Sequence, residues 1–307
     1  MNDLNDHNQS NSRFNRISTP ANAVLTLVFW LMAIVCLVPV LLVLSVSLSD
    51  EGSVIRHGYS IWPREFTFYA YEFLLKDIAK IAKGYGVSIF VTIAGTLLSL
   101  LFTAMLAYPL SRRDFKFRNY FSFFVFFTML FNGGLVPFYM TYSIAGLKNS
   151  LIALILPYLI APFNVIVMRV FFSNTIPPAL IESAVIDGAG ELRIFRSIIV
   201  PLSLPVMATI GLFQTFAYWN DWFLSLIFIS NDNLVNLQYL MYKVMREVEY
   251  LNSGLVEASR AGELSKNLPS ETVRMAMAIV GIGPIIFVYP FLQKYFIKGL
   301  TVGSVKG

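Results

Sequence analysis

The sequence is poor in residues that cross-link or ligate. Of 307 residues one is cysteine, Cys36, and two are histidine, His7 and His57. A single thiol excludes an internal disulfide, and two isolated imidazoles leave no ligand set for a metal, so none is expected. No G-x-x-x-x-G-K-[ST] phosphate loop occurs, and GAGELR at 188–193 lacks the third glycine and the preceding strand of a dinucleotide fingerprint. The chain is therefore not expected to hydrolyse ATP itself or to hold a cofactor. H-E-x-x-H, G-x-S-x-G and paired intramembrane aspartates are missing too, which leaves no evident nucleophile and no catalytic residue. Charge is scarce, at 13% of residues, and internal repeats are not visible.

What is present is apolar surface: 56% of residues are hydrophobic, with 27 Phe and 15 Tyr, far more than a soluble domain of this length needs. These residues form uncharged windows bounded by Arg16 and Asp50, Lys83 and Arg112, Arg118 and Lys148, Lys148 and Arg169, Arg196 and Asp221, and Arg274 and Lys294. Each is long enough for a spanning helix of about 20 residues. The spacing predicts six transmembrane helices, near 22–48, 87–110, 119–142, 151–172, 198–229 and 275–297, in an all-α membrane protein. The apolar run after the polar tail (residues 1–21) is too long for a signal-peptide core and no A-x-A site follows it, so it reads as an uncleaved first helix.

An even number of spans puts both termini on one side. The segment RRDFKFR, 112–118, is a short basic loop, and such loops stay in the cytoplasm. Both termini and the loop 173–197 are then expected there, in a multi-pass membrane protein. The net charge of +5 sits beside helix ends, so it reads as a topology signal and not as a nucleic-acid surface. The expected domains are the tail, a six-helix transmembrane bundle over 22–297 and a cytoplasmic tail over 298–307. The outer segments 49–86 and 231–274 have room for short helices that meet an external partner.

Two places interrupt the apolar pattern. The first is IESAVIDGAGELRIFRSIIVP, 181–201. Pro177 and Pro178 suit a helix start, Glu182 in the first turns suits the positive end of the helix dipole, and Gly188 and Gly190 suit its end. Leu180, Ala184 and Gly188 fall at i, i+4, i+8, a line of diminishing size that lets another surface approach. Leu192, Phe195 and Ile199 give a second apolar stripe leading through Pro201 and Pro205 into the fifth span. On these residues alone two readings stand: an amphipathic helix lying on lipid headgroups, or a docking helix.

The second place is Tyr218-Trp219-Asn220-Asp221-Trp222, within the expected fifth span, with Gln214 one turn further in. Polar groups at membrane depth face a bundle interior or a water-filled path. Aromatic faces stack on sugar rings and amides and carboxylates bond hydroxyls, so the group is a candidate substrate path; an interfacial aromatic belt is the competing reading. Asn132, Gly133, Gly134 and Pro137 break the expected third span, as a gate or a plain kink. Asn164 in the fourth span is a further path candidate, and Arg169 reads as an anchor at that span's end.

Glu182, Ser183, Ala184, Gly188, Ile198 and Pro201 resemble the E-A-A-x-x-x-G-x9-I-x-L-P motif of ABC importer permeases, with Ser183 and Val200 as departures. FQTFAYWNDWFLSLIF and VYPFLQKYFIKGLTVGSVKG resemble the MalG-type permeases of carbohydrate ABC importers, and FNGGLVPFY resembles their LplC/YtcP-type branch. The resemblance covers the chain from about residue 22 onward. It implies the ABC type I importer permease fold, with 173–197 as the cytoplasmic coupling loop whose helix sits in a groove of an ATPase subunit. Glu182, Ser183, Ala184, Asp187, Gly188, Ile198 and Pro201 are then the coupling residues. It also implies a second homologous permease forming a heterodimer, two ABC ATPase subunits that bind the ATP and Mg, and an extracytoplasmic sugar-binding protein. The function so implied is import of an oligosaccharide or other glycan; a secondary transporter and a non-transporting membrane scaffold are the alternatives.

Overall fold

The computed structural model describes residues 19–252 and 271–286, and every structural statement below concerns these. They are helical, with a single isolated bridge between Ser49 and Phe66 in place of a sheet. The chain divides into two compact units, residues 1–73 with 269–279, and 74–268 with 280–307.

In the first unit, α1 (Thr19–Ser47) is an uncharged helix whose apolar side chains are exposed on every side, Phe29, Trp30 and Val35 among them. Water does not tolerate such a surface, whereas a bilayer requires it, because lipid is as apolar as the side chains and the helix satisfies its own backbone. Only its last residues bury, and there Ser47 Oγ lies 2.8 Å from the Tyr71 hydroxyl. Asp50 caps α2 (Glu51–His57) by accepting from the Ser53 amide at 3.0 Å. The Glu51 carboxylate in turn accepts from the amides of Glu271 (3.0 Å) and Thr272 (2.9 Å) and from the Thr272 hydroxyl (2.7 Å). It thus occupies the positive end of α15 (Glu271–Ile282). A short helix, α3 (Tyr69–Leu75), completes the segment.

The second unit is built on α4 (Ile78–Ser111), a helix of 34 residues. It begins nine residues earlier than its apolar window predicts, because Lys80 and Lys83 extend from the helix end into the polar phase instead of ending it; Lys83 reaches Asn233 Oδ1 at 3.0 Å. One face of α4 is a line of small residues, Ser88, Thr92, Gly95, Ser99, Thr103 and Ala107, all buried. Small residues at this spacing let helices approach closely in a membrane, where no hydrophobic force drives them together.

The expected third span is two helices, α5 (Arg118–Leu130) and α6 (Leu135–Ile144), bent by 116°. Gly134 sits at φ +85°, a conformation glycine takes at no steric cost, and its amide donates to Asn132 Oδ1 at 2.9 Å. The fourth span is bent by 49° between α7 (Leu151–Ile155, continued by a 3-10 turn to Tyr158) and α8 (Pro162–Thr175).

The fifth differs most from expectation. Instead of one helix over 198–229 the chain forms α9 (Pro178–Ile186), α10 (Glu191–Ile194), a π turn (Phe195–Ile199), α11 (Val200–Leu202), α12 (Leu204–Trp219) and α13 (Phe223–Phe228). The bend before α12 is 80°, between two prolines that cannot donate to the ladder. Asp221, expected inside a helix, lies in the break between α12 and α13. Beyond these, α14 (Leu237–Asn252) occupies part of the second outer segment.

By length and composition α1 and α4 can each cross a membrane, and the three bent pairs raise the candidate spans to five. The sixth expected span falls partly on residues outside the described ones, as does the C-terminal tail. Two hydrophobic clusters hold the second unit, one around Ala107, Met168, Ile199 and Ile210, the other around Val91, Leu154, Tyr218 and Phe228. The helices α4 and α12 serve both.

Candidate functional site

The first candidate is the segment from Pro177 to Pro201. Pro177 stands at the N-cap and Pro178 in the first turn of α9, where the missing N–H is no loss. The helix closes with a paired set of bonds: the Gly188 amide donates to Val185 O (3.0 Å) and the Ala189 amide to Ala184 O (2.9 Å), with Gly188 at φ +78°. This is the Schellman closure, and the left-handed residue it needs is most cheaply glycine.

Glu182, Ser183, Asp187 and Gly188 are exposed, while Ile181, Ala184 and Ala189 pack against the first core cluster. The helix therefore stands on an apolar foot and presents a mixed face outward, in which Glu182, Ser183 and Asp187 alternate with exposed Leu180, Val185 and Ile186. Two expectations change. Glu182 is the fifth residue of α9, past the first turn where the helix dipole acts. Ala184 faces the bundle rather than the outer edge, and Gly188 lies beyond the helix, so the line from Leu180 through Ala184 to Gly188 is not one surface. The second stripe is also split: Ile199 is buried and Phe195 half-buried, but Leu192 is 77% exposed, since the π turn adds a residue to the coil. Ile198 packs into the core cluster, and Pro201 is exposed at the start of α11.

Sequence reading missed what fastens this segment. The carboxylate of Glu191, the first residue of α10, accepts from the Tyr108 hydroxyl at 2.7 Å and from Arg112 Nη1 at 3.2 Å. The other arm of Arg112 pairs with Asp114. That bond holds the Asp114 carboxyl below its usual range, so the pair persists above the lowered value and is lost as the pH falls through it.

The second candidate is the aromatic and polar group after Gln214. Tyr218, Trp219, Asp221 and Gln214 are buried, whereas Asn220 and Trp222 are exposed. Each buried member has a partner within the chain. Tyr218 donates to Ile155 O (2.8 Å), Trp219 Nε1 to Gly281 O (3.0 Å) and Gln214 Nε2 to Tyr158 O (3.3 Å). Asp221 Oδ1 accepts from the Tyr158 hydroxyl (3.2 Å) and the Leu224 amide (3.4 Å), and its carbonyl accepts from Asn236 Nδ2. Tyr158, not singled out from sequence, is the hub, with its ring edge-on to Tyr218 at 5.7 Å. Trp222 stacks on Tyr242 at 4.7 Å, and Asn220 bonds back to Phe216 O. Among the described residues no bond joins Asn132, exposed at the α5–α6 break, or Asn164, buried in α8, to this network.

Asp221→Ala is expected to strip the Tyr158 hydroxyl and the Leu224 amide of an acceptor in a buried place, at a cost of about 1–3 kcal/mol. Thermal unfolding of the purified protein in detergent reads this as a lowered midpoint, with Asp221→Asn, which keeps an acceptor, closer to the parent.

With this geometry in place, comparison with known proteins is direct. A family model described as binding-protein-dependent transport system inner membrane component matches residues 95–302. The polygalacturonan/rhamnogalacturonan transport system permease protein YtcP of Bacillus subtilis (strain 168) is 39% identical over 279 residues, covering 90% of this chain and 95% of the relative. The LplC protein of the same organism is 38% identical over 274 residues, covering 89% and 90%. A crystal structure of a bacterial ABC transporter involved in the import of the acidic polysaccharide alginate contains a chain with TM-score 0.75 and 31% identity, covering 90% of this chain and 96% of that one.

Proposed function

The chain belongs to the family of binding-protein-dependent transport system inner membrane components, and from that membership we propose that it is one permease subunit of an ATP-driven importer that passes an acidic oligosaccharide from an extracytoplasmic binding protein to the cytoplasm. The observation that carries the reading is α9: an exposed helix of nine residues, fixed at both ends by proline and glycine, in a chain whose other surfaces are largely apolar. A headgroup-lying helix turns its apolar face outward. Here Ile181 and Ala184 are taken up by the bundle, and Glu182, Ser183 and Asp187 are offered together with Leu180, Val185 and Ile186, a mixed surface that suits a protein groove better than a headgroup layer.

In this reading α9 is the coupling helix, with Glu182, Ser183, Ala184, Asp187, Gly188, Ile198 and Pro201 forming or supporting it. It sits in a groove of an ABC ATPase subunit. Two such subunits bind ATP and Mg and perform the hydrolysis, and this chain is not catalytic. A second, similar permease completes the pathway. The basic turn 112–118, both termini and 173–197 face the cytoplasm of a bacterial inner membrane. Closure of the ATPase pair moves α9, and the bundle exchanges inward-open for outward-open as rigid bodies.

An acidic substrate is supported by the printed names of two comparators, one handling polygalacturonan and one alginate. Uptake of labelled oligogalacturonides by cells carrying the complete system tests this. Accumulation that stops when this chain is deleted, and that neutral maltooligosaccharides do not compete away, is expected. Uptake that survives deletion, or equal competition by the neutral sugar, contradicts it.

A further inference from the structure

The way α9 is attached to the bundle shows where a push on it goes. At its N-terminal end the chain passes through Ile176, buried and extended, before Pro177. At its C-terminal end it passes through α10, a π turn and α11 to the 80° bend before α12. The first connection runs through an extended residue and the second through an 80° bend, so no continuous helix carries a displacement of α9 into α8 or α12. α10 runs on through the π turn and α11 as one helical stretch, Glu191–Leu202, that ends at this bend.

The remaining attachment is lateral. Glu191 accepts from the Tyr108 hydroxyl at 2.7 Å and from Arg112 Nη1 at 3.2 Å through both of its oxygens, while Arg112 Nη1 also donates to the Tyr108 hydroxyl at 3.0 Å. The Tyr108 ring lies 5.7 Å from that of Phe195, in the π turn. Arg112 is only 15% exposed, and α8 reaches the same place, with Arg169 Nε donating to Leu110 O at 3.1 Å. Arg112 gives its Nε and Nη2 to Asp114 and reaches both Glu191 oxygens through Nη1 alone, and charged hydrogen bonds of this kind fix direction as well as distance, which an apolar contact does not.

We propose that Glu191 is a positioning residue for transport: clamped by Arg112 and Tyr108, it joins the α9–α10 segment to the end of α4, so that movement of α9 swings α4 as part of the same rigid body. The idea rests on α9 being the ATPase-coupling helix.

The test uses the full complex with spin labels at Ile186→Cys on α9 and Arg113→Cys after α4, in a Cys36→Ser background, with vanadate-trapped ATP as the probe. In the parent the label distance stays constant to within about 2 Å between nucleotide-free and trapped states; Glu191→Gln lets it change by about 5 Å, a helical turn. ATP hydrolysis continues in the variant, and uptake of the transported glycan falls about tenfold. Arg112→Gln, which also releases Asp114 and Tyr108, gives at least the same loss, and the double variant is no worse than Arg112→Gln alone, because the Glu191 contact is already gone; Tyr108→Phe gives a smaller loss. A distance that stays fixed in Glu191→Gln, or effects of the two variants that simply add, overturns the clamp while ATPase capture by the parent leaves α9's role intact. Failure of the parent to capture an ATPase subunit removes that role and the clamp with it.

Discussion

Gly95→Ala is expected to destabilise the bundle by about 1–3 kcal/mol, the usual cost of forcing extra volume into a packed core. A Cβ at this position stands 2.5 Å from Tyr218 Cζ and 2.7 Å from Cε1 and Cε2, closer than real contacts allow. The ring cannot swing away. It is 2% exposed, its hydroxyl is bonded to Ile155 O, and Tyr158 stands against its edge. Relief therefore requires α4 and α12 to separate, which also strains the bonds of Gln214 and Asp221 to Tyr158. Gly86→Ala is the control on the same helix, since nothing lies within 4 Å of a Cβ there and alanine favours the helix. Thermal unfolding in detergent should show a midpoint several degrees lower for Gly95→Ala and unchanged or raised for Gly86→Ala. Equal midpoints for the two variants would mean that the close approach of Tyr218 to α4 is not a feature of the folded protein.

Gly188→Pro is expected to abolish transport and leave the bundle folded. Proline fixes φ near −65°, whereas Gly188 stands at +78°, and it removes the amide that donates to Val185 O. The α9 closure is then lost, and with it the direction in which Glu182 and Asp187 are offered. Nothing lies within 4 Å of a Cβ at Gly188, so the effect comes from the backbone alone and no core contact is broken. The unfolding midpoint should stay near that of the parent while glycan uptake disappears. A large fall in midpoint would make the segment part of the bundle's stability rather than a handle.

These two glycines also show what the sequence made legible. Proline and glycine act within a few residues, so α9, with its start at Pro178 and its turn at Gly188, could be placed from the string of letters, as could the break at Asn132–Gly134. Gly95 could not be read in that way, although Ser88, Thr92, Gly95, Ser99 and Thr103 spell a small-residue face at helical spacing. Its partner, Tyr218, lies far along the chain. The same distance hid Tyr158 and Asn236, whose bonds to the segment 214–221 depend on how α7 and α14 fold back. Charge misleads in two directions: lysines 80 and 83 read as a loop and belong to α4, and Glu191 reads as one acid among several and bonds the start of α10 to Tyr108 and Arg112 at the end of α4. The uncharged window of the fifth span predicts a continuous helix, yet prolines 201 and 205 and the break at Asp221 divide it.

The account stands or falls on whether α9 holds an ATPase. The direct measurement is detergent capture of the tagged protein, expressed with its transport partners, for the parent, Gly188→Pro and Glu182→Lys, probing for a P-loop ATPase subunit and a second permease. The account predicts that the parent retains both, and that each variant keeps the second permease and loses the ATPase. An ATPase retained in full by both variants, or absent from the parent, would contradict it.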